Sequence, residues 1–168
     1  MKYDIKTLRE KISIIELSTK TSLENLDLKF FFDYHIFPNN IIAFLAQWND
    51  ENRNMQVGDT IVQQAFIPPI RMFSQKIIFG VRIHEIIDQK DKKGYSYETL
   101  EGHVEKGIST FTIEQYGEKL IFKIQTFSKP GNILPILLGP IFSVPYQTFC
   151  TKAALRNVKR RIENEQFF

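Results

Sequence analysis

One cysteine, Cys150, stands in a chain of 168 residues. No disulfide can form within such a chain, and a reducing compartment suits it. Long apolar runs are missing too. The nearest approach is ILPILLGPIF, broken by Pro135 and Pro140 and far short of the roughly 20 residues a membrane helix needs. The opening stretch MKYDIKTLREKISIIEL carries Asp4, Arg9, Glu10 and Lys11 where a signal peptide needs an apolar core. A cytoplasmic protein is the expectation. Charge is also scarce in net terms, at +3, and a basic stripe of the kind nucleic acid requires is not evident. The chain lacks a P-loop, a nucleophile elbow and a dinucleotide glycine fingerprint. Its His, Cys, Asp and Glu residues show no zinc-ligand spacing, so neither a metal nor another cofactor is expected.

What is abundant is aromatic: fifteen Phe and six Tyr against three Met and one Trp. Rings in that number suit either a core with wide gaps or a cavity lined by side chains, and composition alone favours the core. The remaining balance, 43% hydrophobic and 24% charged, is that of an ordinary globular domain. Without a repeat, a low-complexity tract or a linker, residues 1–168 read as one domain, with a helical extension over 1–27 and a core over 28–165.

Periodicity orders the elements. Ile5, Leu8, Ile12 and Ile15 step by three and four, which predicts an amphipathic N-terminal helix docked on the outside. KFFFDYHIF reads as a strand and NNIIAFLAQW as a short helix. From VGDTIVQQAFI onward the period is two. SQKIIFGVRIHEII, GYSYETLE, ISTFTIEQY and KLIFKIQTF are joined by turn-rich segments such as DQKDKKG and YGEK, as in antiparallel hairpins. After SKPGN the pattern is helical again. Ser143 is placed to cap and Pro145 to sit in the first turn of a helix running to about residue 164. The order is α+β: a curved antiparallel sheet wrapped around a long C-terminal helix.

GYSYETLEGHVEKGISTFTIE, followed by IFKIQTFSKP and a helix ending TKAALRNVKR, resembles a bacterial and plant family of unknown function. That family lies within the START-like SRPBCC superfamily, and the resemblance implies its helix-grip fold over roughly residues 34–162. Tyr97, Thr99, Leu100, Gly102, His103, Gly107, Phe111, Ser128 and Pro130 fall on the family pattern. Glu98 stands in place of a glycine, Lys129 in place of an arginine, and Ile108-Ser109 in place of an acidic pair. Losing that pair removes any carboxylate chemistry at those positions. The superfamily binds lipids, sterols, polyketides and hormones, and only some of its members are enzymes.

Alternation along GYSYETLE puts Tyr95, Tyr97 and Thr99 on one face, with Gly102 bending the chain before His103. The leading reading of Gly102-His103 is a turn in which the ring bonds a backbone group. A ligand anchor comes second. A general base oriented by Glu105 comes third, since geometry within about 3 Å would be required. His35 and His84 read as wall or surface residues, and Cys150 as a small core residue. Lys152, Arg156, Lys159, Arg160 and Arg161 read as the solvated face of the last helix, complementing its C-terminal dipole.

Together these readings point to a module that binds or carries a small hydrophobic or amphipathic molecule between the sheet and the last helix. Phe79, Val81, Tyr97, Phe111, Phe122 and Phe149 would line the space, with Thr99 and His103 at a polar end. Residues 131–145 would plug the core or form a lid, with at most transient membrane contact. The alternatives are a cyclase- or hydratase-like enzyme using His103 and Tyr97, and an interaction domain whose cavity is filled.

Overall fold

The computed structural model describes residues 7–67, 75–103, 105–130 and 134–164. Seven strands form one antiparallel sheet: β1 (Arg9–Leu17), β2 (Ile42–Ala46), β3 (Thr60–Ile67), β4 (Gln75–Asp88), β5 (Lys92–Thr99), β6 (Glu105–Tyr116) and β7 (Lys119–Pro130). Their spatial order is β1-β7-β6-β5-β4-β3-β2. Among the described residues three α-helices, α1 (Lys29–Phe32), α2 (Gln47–Asp50) and the long α3 (Leu134–Asn164), and one 3-10 turn (Leu23–Asn25) accompany them. The sheet is curved and α3 closes its concave face, the helix-grip arrangement expected from the sequence.

The strands β3 to β7 lie where a period of two places them. The first fifty residues differ. Residues 9–17 are the edge strand β1 and not a helix; the register runs from Arg9 opposite Ser128 to Leu17 opposite Leu120. Ile12, Ile14 and Ile15 satisfy either period, and β-branched residues favour the strand once an edge is available to pair with. Ile15 and Leu17 turn inward against the core, whereas Ile12 and Ile14 stay exposed on the convex side. The extension is therefore part of the sheet. Ile5 lies outside the described residues.

KFFFDYHIF is not a strand. A single turn of helix brings consecutive rings to the core side, which an extended chain would send to opposite faces. Phe31 is fully buried, with ring centroids 5.8 Å from Phe122 and 5.3 Å from Tyr95, and Phe32 lies 6.1 Å from Tyr95. The chain then reverses through Tyr34, whose φ is 67°. NNIIAFLAQW is the strand β2 followed by the one-turn helix α2, since Ile42, Phe44 and Ala46 alternate toward the core opposite Ala65, Gln63 and Ile61. A short apolar run carries both periods, and only the partner strand decides between them.

The helix α3 begins at Leu134 and not at Pro145, so Ser143 lies within it and does not cap it. Leu134, Leu137 and Leu138 are good helix formers, and Pro135 falls in the first turn, where its missing N–H costs little. Further along, Ala154, Leu155, Val158 and Ile162 form the buried stripe. Asn157 is buried and donates from Nδ2 to the carbonyls of His35 (3.0 Å) and Ile36 (3.1 Å), tying α3 to the segment after α1. The basic residues have local work: Lys159 Nζ donates to the Glu16 carbonyl at 2.7 Å, and the Arg161 guanidinium lies 5.4 Å from the centre of the Phe30 ring.

Candidate functional site

Register divides the concave face into two halves. Toward one end the rungs are mostly apolar: Leu17 with Leu120, then Ile15 with Phe122 and Ile113, then Ile124 with Phe111 and Tyr95, interrupted by Gln115 opposite Leu120 and by Ser13 of the edge strand opposite Ile124. This half is filled by Phe31, Phe32 and Tyr34, and its rings stand 5.2–6.4 Å apart in a continuous network. Toward the other end the floor becomes polar. Lys11, Thr126, Ser109 and Tyr97 make one rung across four strands, and Arg9, Ser128 and Gly107 begin the next. Ser109 and Thr126 share a hydrogen bond of 3.1 Å and stay partly accessible, and Lys11 Nζ reaches Thr148 of α3 at 3.3 Å. Ser109 is also one of the two positions where the family pattern has its acidic pair, so that departure falls on the concave face.

The residues singled out from the sequence are distributed over both halves. Val81, Tyr97, Phe111 and Phe122 are buried in one core cluster. Phe122 belongs to the filled half, packed edge-on against Phe31. Thr99 is buried, and its hydroxyl is engaged with the backbone of Gly107, accepting from the N–H at 3.0 Å and donating to the carbonyl at 3.3 Å. These bonds tie β5 to β6. His103 follows a glycine at φ 84°, its N–H bonds the Leu100 carbonyl at 3.2 Å, and its ring packs edge-on against Phe79 at 4.4 Å. The turn reading holds for its backbone. The side chain of Glu105, invoked as the orienting group, lies outside the described residues. Phe149 is 46% exposed on α3 and lines nothing in the interior.

Two polar side chains deep in the site were not anticipated. Gln63 is buried on β3 and donates from Nε2 to the hydroxyl of Tyr34. Its signal was parity: it shares the inward positions of Ile61 and Ala65. Burial pushes the Tyr34 phenol well above its ordinary pKa, and the neighbouring hydroxyls of Tyr97 and Tyr95 push it further. Burial and then Tyr97 act on Tyr95 in the same direction. All three phenols therefore stay protonated. At the outer half of α3, Tyr146 donates to the Phe66 carbonyl at 3.0 Å, and its pKa is raised first by burial and then by Cys150.

Elsewhere, two adjoining clefts of about 490 and 410 Å³ open at the opposite end of the sheet and share Ser22, Gln115 and Gly117. Among the described residues, no three His, Cys, Asp or Glu side chains gather as a metal ion would require, and no helix is long and apolar enough to cross a membrane. Of the segment expected to be a lid or plug, residues 131–133 lie outside the described residues, and 134–145 form the first turns of α3.

No curated protein sequence matches the chain. Among solved structures, major latex-like protein 151 from Panax ginseng is similar at 13% identity and a TM-score of 0.60, over 92% of this chain and 97% of that one. A hypothetical protein from Helicobacter pylori is similar at 11% identity and a TM-score of 0.57, over 91% and 86%. At such identities the likeness is one of fold. A family profile matches residues 31–157, which span the end of α1, the six strands β2 to β7 and most of α3: the chain belongs to the family of the domain of unknown function DUF1990.

Proposed function

We propose that the protein is a START-like SRPBCC carrier that holds one small hydrophobic or amphipathic molecule against the concave face beneath α3. The observation that supports this most is the change of character along that face. A filled aromatic half would make poor use of a polar continuation, yet Ser109 and Thr126 extend the same surface and remain accessible where α3 passes over them. A molecule lying there would place its apolar body toward Val81, Phe79 and Tyr97 and its polar edge toward the hydroxyl rung. Burial of apolar surface would supply most of the affinity, at roughly 25 cal/mol per Å² before the costs of association.

Of the residues chosen from sequence, Phe79, Val81, Tyr97 and His103 fit this position, and Phe111 belongs with the filled half behind it. Thr99 acts through strand pairing, and Phe122 through the packing behind it.

Filling the space tests the reading. Ser109→Phe directs a ring from the floor toward α3. It is expected to abolish saturable uptake of a neutral naphthalene fluorophore while the circular dichroism of the sheet is retained. Uptake equal to that of the parent protein would overturn the proposal.

A further inference from the structure

Three phenol groups meet on the concave face at the border between its halves. Tyr95 and Tyr97 project from the same side of β5, and the Tyr34 ring lies 6.2 and 6.3 Å from theirs. Gln63 donates to the Tyr34 hydroxyl, and the Tyr34 hydroxyl in turn bonds that of Tyr97. The Tyr95 ring is 0% exposed, and its hydroxyl has no hydrogen-bond partner among the described residues. A buried hydroxyl without a partner is costly, so a structure that retains one beside two other hydroxyls is arranged for a group that arrives from outside.

We propose that Tyr34, Tyr95, Tyr97 and Gln63 form a recess for one neutral oxygen of the carried molecule, a carbonyl or a hydroxyl, with Tyr95 donating to it. This rests on the carrier reading above and narrows its ligand class. The rings packed on the recess, those of Phe31, Phe32, Phe37, Phe44 and Phe111, carry no charge. A carboxylate seated there would be desolvated without a cation beside it, and an ammonium would meet only neutral phenols; both are disfavoured in such surroundings. A ketone, an alcohol or an ester fits, since a phenol donates to a neutral acceptor and Gln63 supplies an amide of either polarity. Strain points to the same place. Tyr34 holds φ at 67°, a left-handed conformation that a bulky residue adopts only when its surroundings require it.

Two naphthalene probes that differ at one group test the recess: 6-propionyl-2-(dimethylamino)naphthalene, a ketone, and 2-(dimethylamino)naphthalene, which lacks the carbonyl. The unmodified protein is expected to bind the ketone about 5- to 10-fold more tightly, the worth of one buried hydrogen bond. Tyr95→Phe should erase that preference, leave unchanged the affinity for the amine that lacks the carbonyl, and shift the emission of the bound ketone to the blue. Its Tm should not fall, because the hydroxyl it removes has no partner among the described residues. Tyr97→Phe provides a second variant and should reduce the preference in part.

Equal affinity for the two probes, or a preference that survives both substitutions, overturns the recess and leaves the carrier reading standing. A lowered Tm for Tyr95→Phe also overturns it, since the hydroxyl would then already be satisfied. Failure of both probes to bind removes the carrier reading and the recess together.

Discussion

The carboxamide of Gln63 on β3 donates to the hydroxyl of Tyr34, which enters from the segment after α1. This bond joins the sheet to the chain that fills one half of it, in a place closed to water. Its loss therefore leaves a buried donor without an acceptor. Tyr34→Phe is expected to lower stability by about 1–3 kcal/mol, measured by urea denaturation. Adding Gln63→Met should recover part of the loss, since an apolar pair no longer strands an amide. A Tyr34→Phe variant as stable as the parent would show that the bond carries nothing.

Gly107 tests why a glycine is required on β6. A Cβ built there would lie 2.0 Å from the Phe127 carbonyl oxygen, and the obstruction is backbone, which cannot rotate away. Gly107→Ala should cost roughly 3 kcal/mol or more and disturb the Thr99 bond alongside. Gly117→Ala, at φ 62° with nothing within 4 Å, should cost only about 1 kcal/mol. Equal losses in thermal melts of the two variants would contradict the steric account.

Glu114 is buried on the convex side of β6. Burial pushes its carboxyl up, but hydrogen bonds from Tyr116 and Thr112 and the charges of Lys123 and Lys92 outweigh that and hold it below the usual range. A carboxylate whose folded pKa is depressed contributes stability above its unfolded pKa and loses it as pH falls through the folded one. Glu114→Gln should therefore cost about 1–3 kcal/mol near neutral pH. The difference from the parent should shrink below about pH 4.3. A difference that stays constant well below about pH 4.3, where both folded and unfolded chains have taken up the proton, would rule out the charge as the cause.

His35 responds to pH in a different window. Burial, and then the charge of Arg161, lower its pKa from the ordinary value, with Asp33 opposing. The unfolded chain then takes up its proton first, near pH 6.5, while the folded one resists. Stability should fall as pH drops below about 6.5 toward the folded pKa, and His35→Gln should flatten that part of the profile. Parallel profiles for parent and variant would contradict it.

The strands β3 to β7 were legible because an alternation sustained along them leaves one arrangement open, and the same alternation placed Val81, Tyr97 and Phe111 on one face. The N-terminal third was not. Ile12 and Ile15 are spaced for a helix and Ile12 and Ile14 for a strand; the pairing that decides between them comes from Gln125 and Lys123, more than a hundred positions away. FFF was read by period alone, whereas its conformation is set by the pocket of Phe122, Tyr95 and Phe111 that receives it. In the site, Thr99 and His103 stand at recognisable motif positions, but the partners that define their roles, the Gly107 backbone and the Phe79 ring, are visible only once the strands are paired. Gln63 was hidden in plain view as a polar residue at an inward position. Asn157 had no local signal, since its partners are backbone carbonyls of a distant turn.

The carrier reading is tested most directly by native mass spectrometry of the protein as purified, compared with its mass after denaturing extraction into organic solvent. The account predicts a native mass above that of the chain, with the excess recovered in the extract as a neutral, oxygen-bearing apolar molecule in about one copy per chain. A native mass equal to that of the bare chain, together with no saturable uptake of either naphthalene probe, would contradict it.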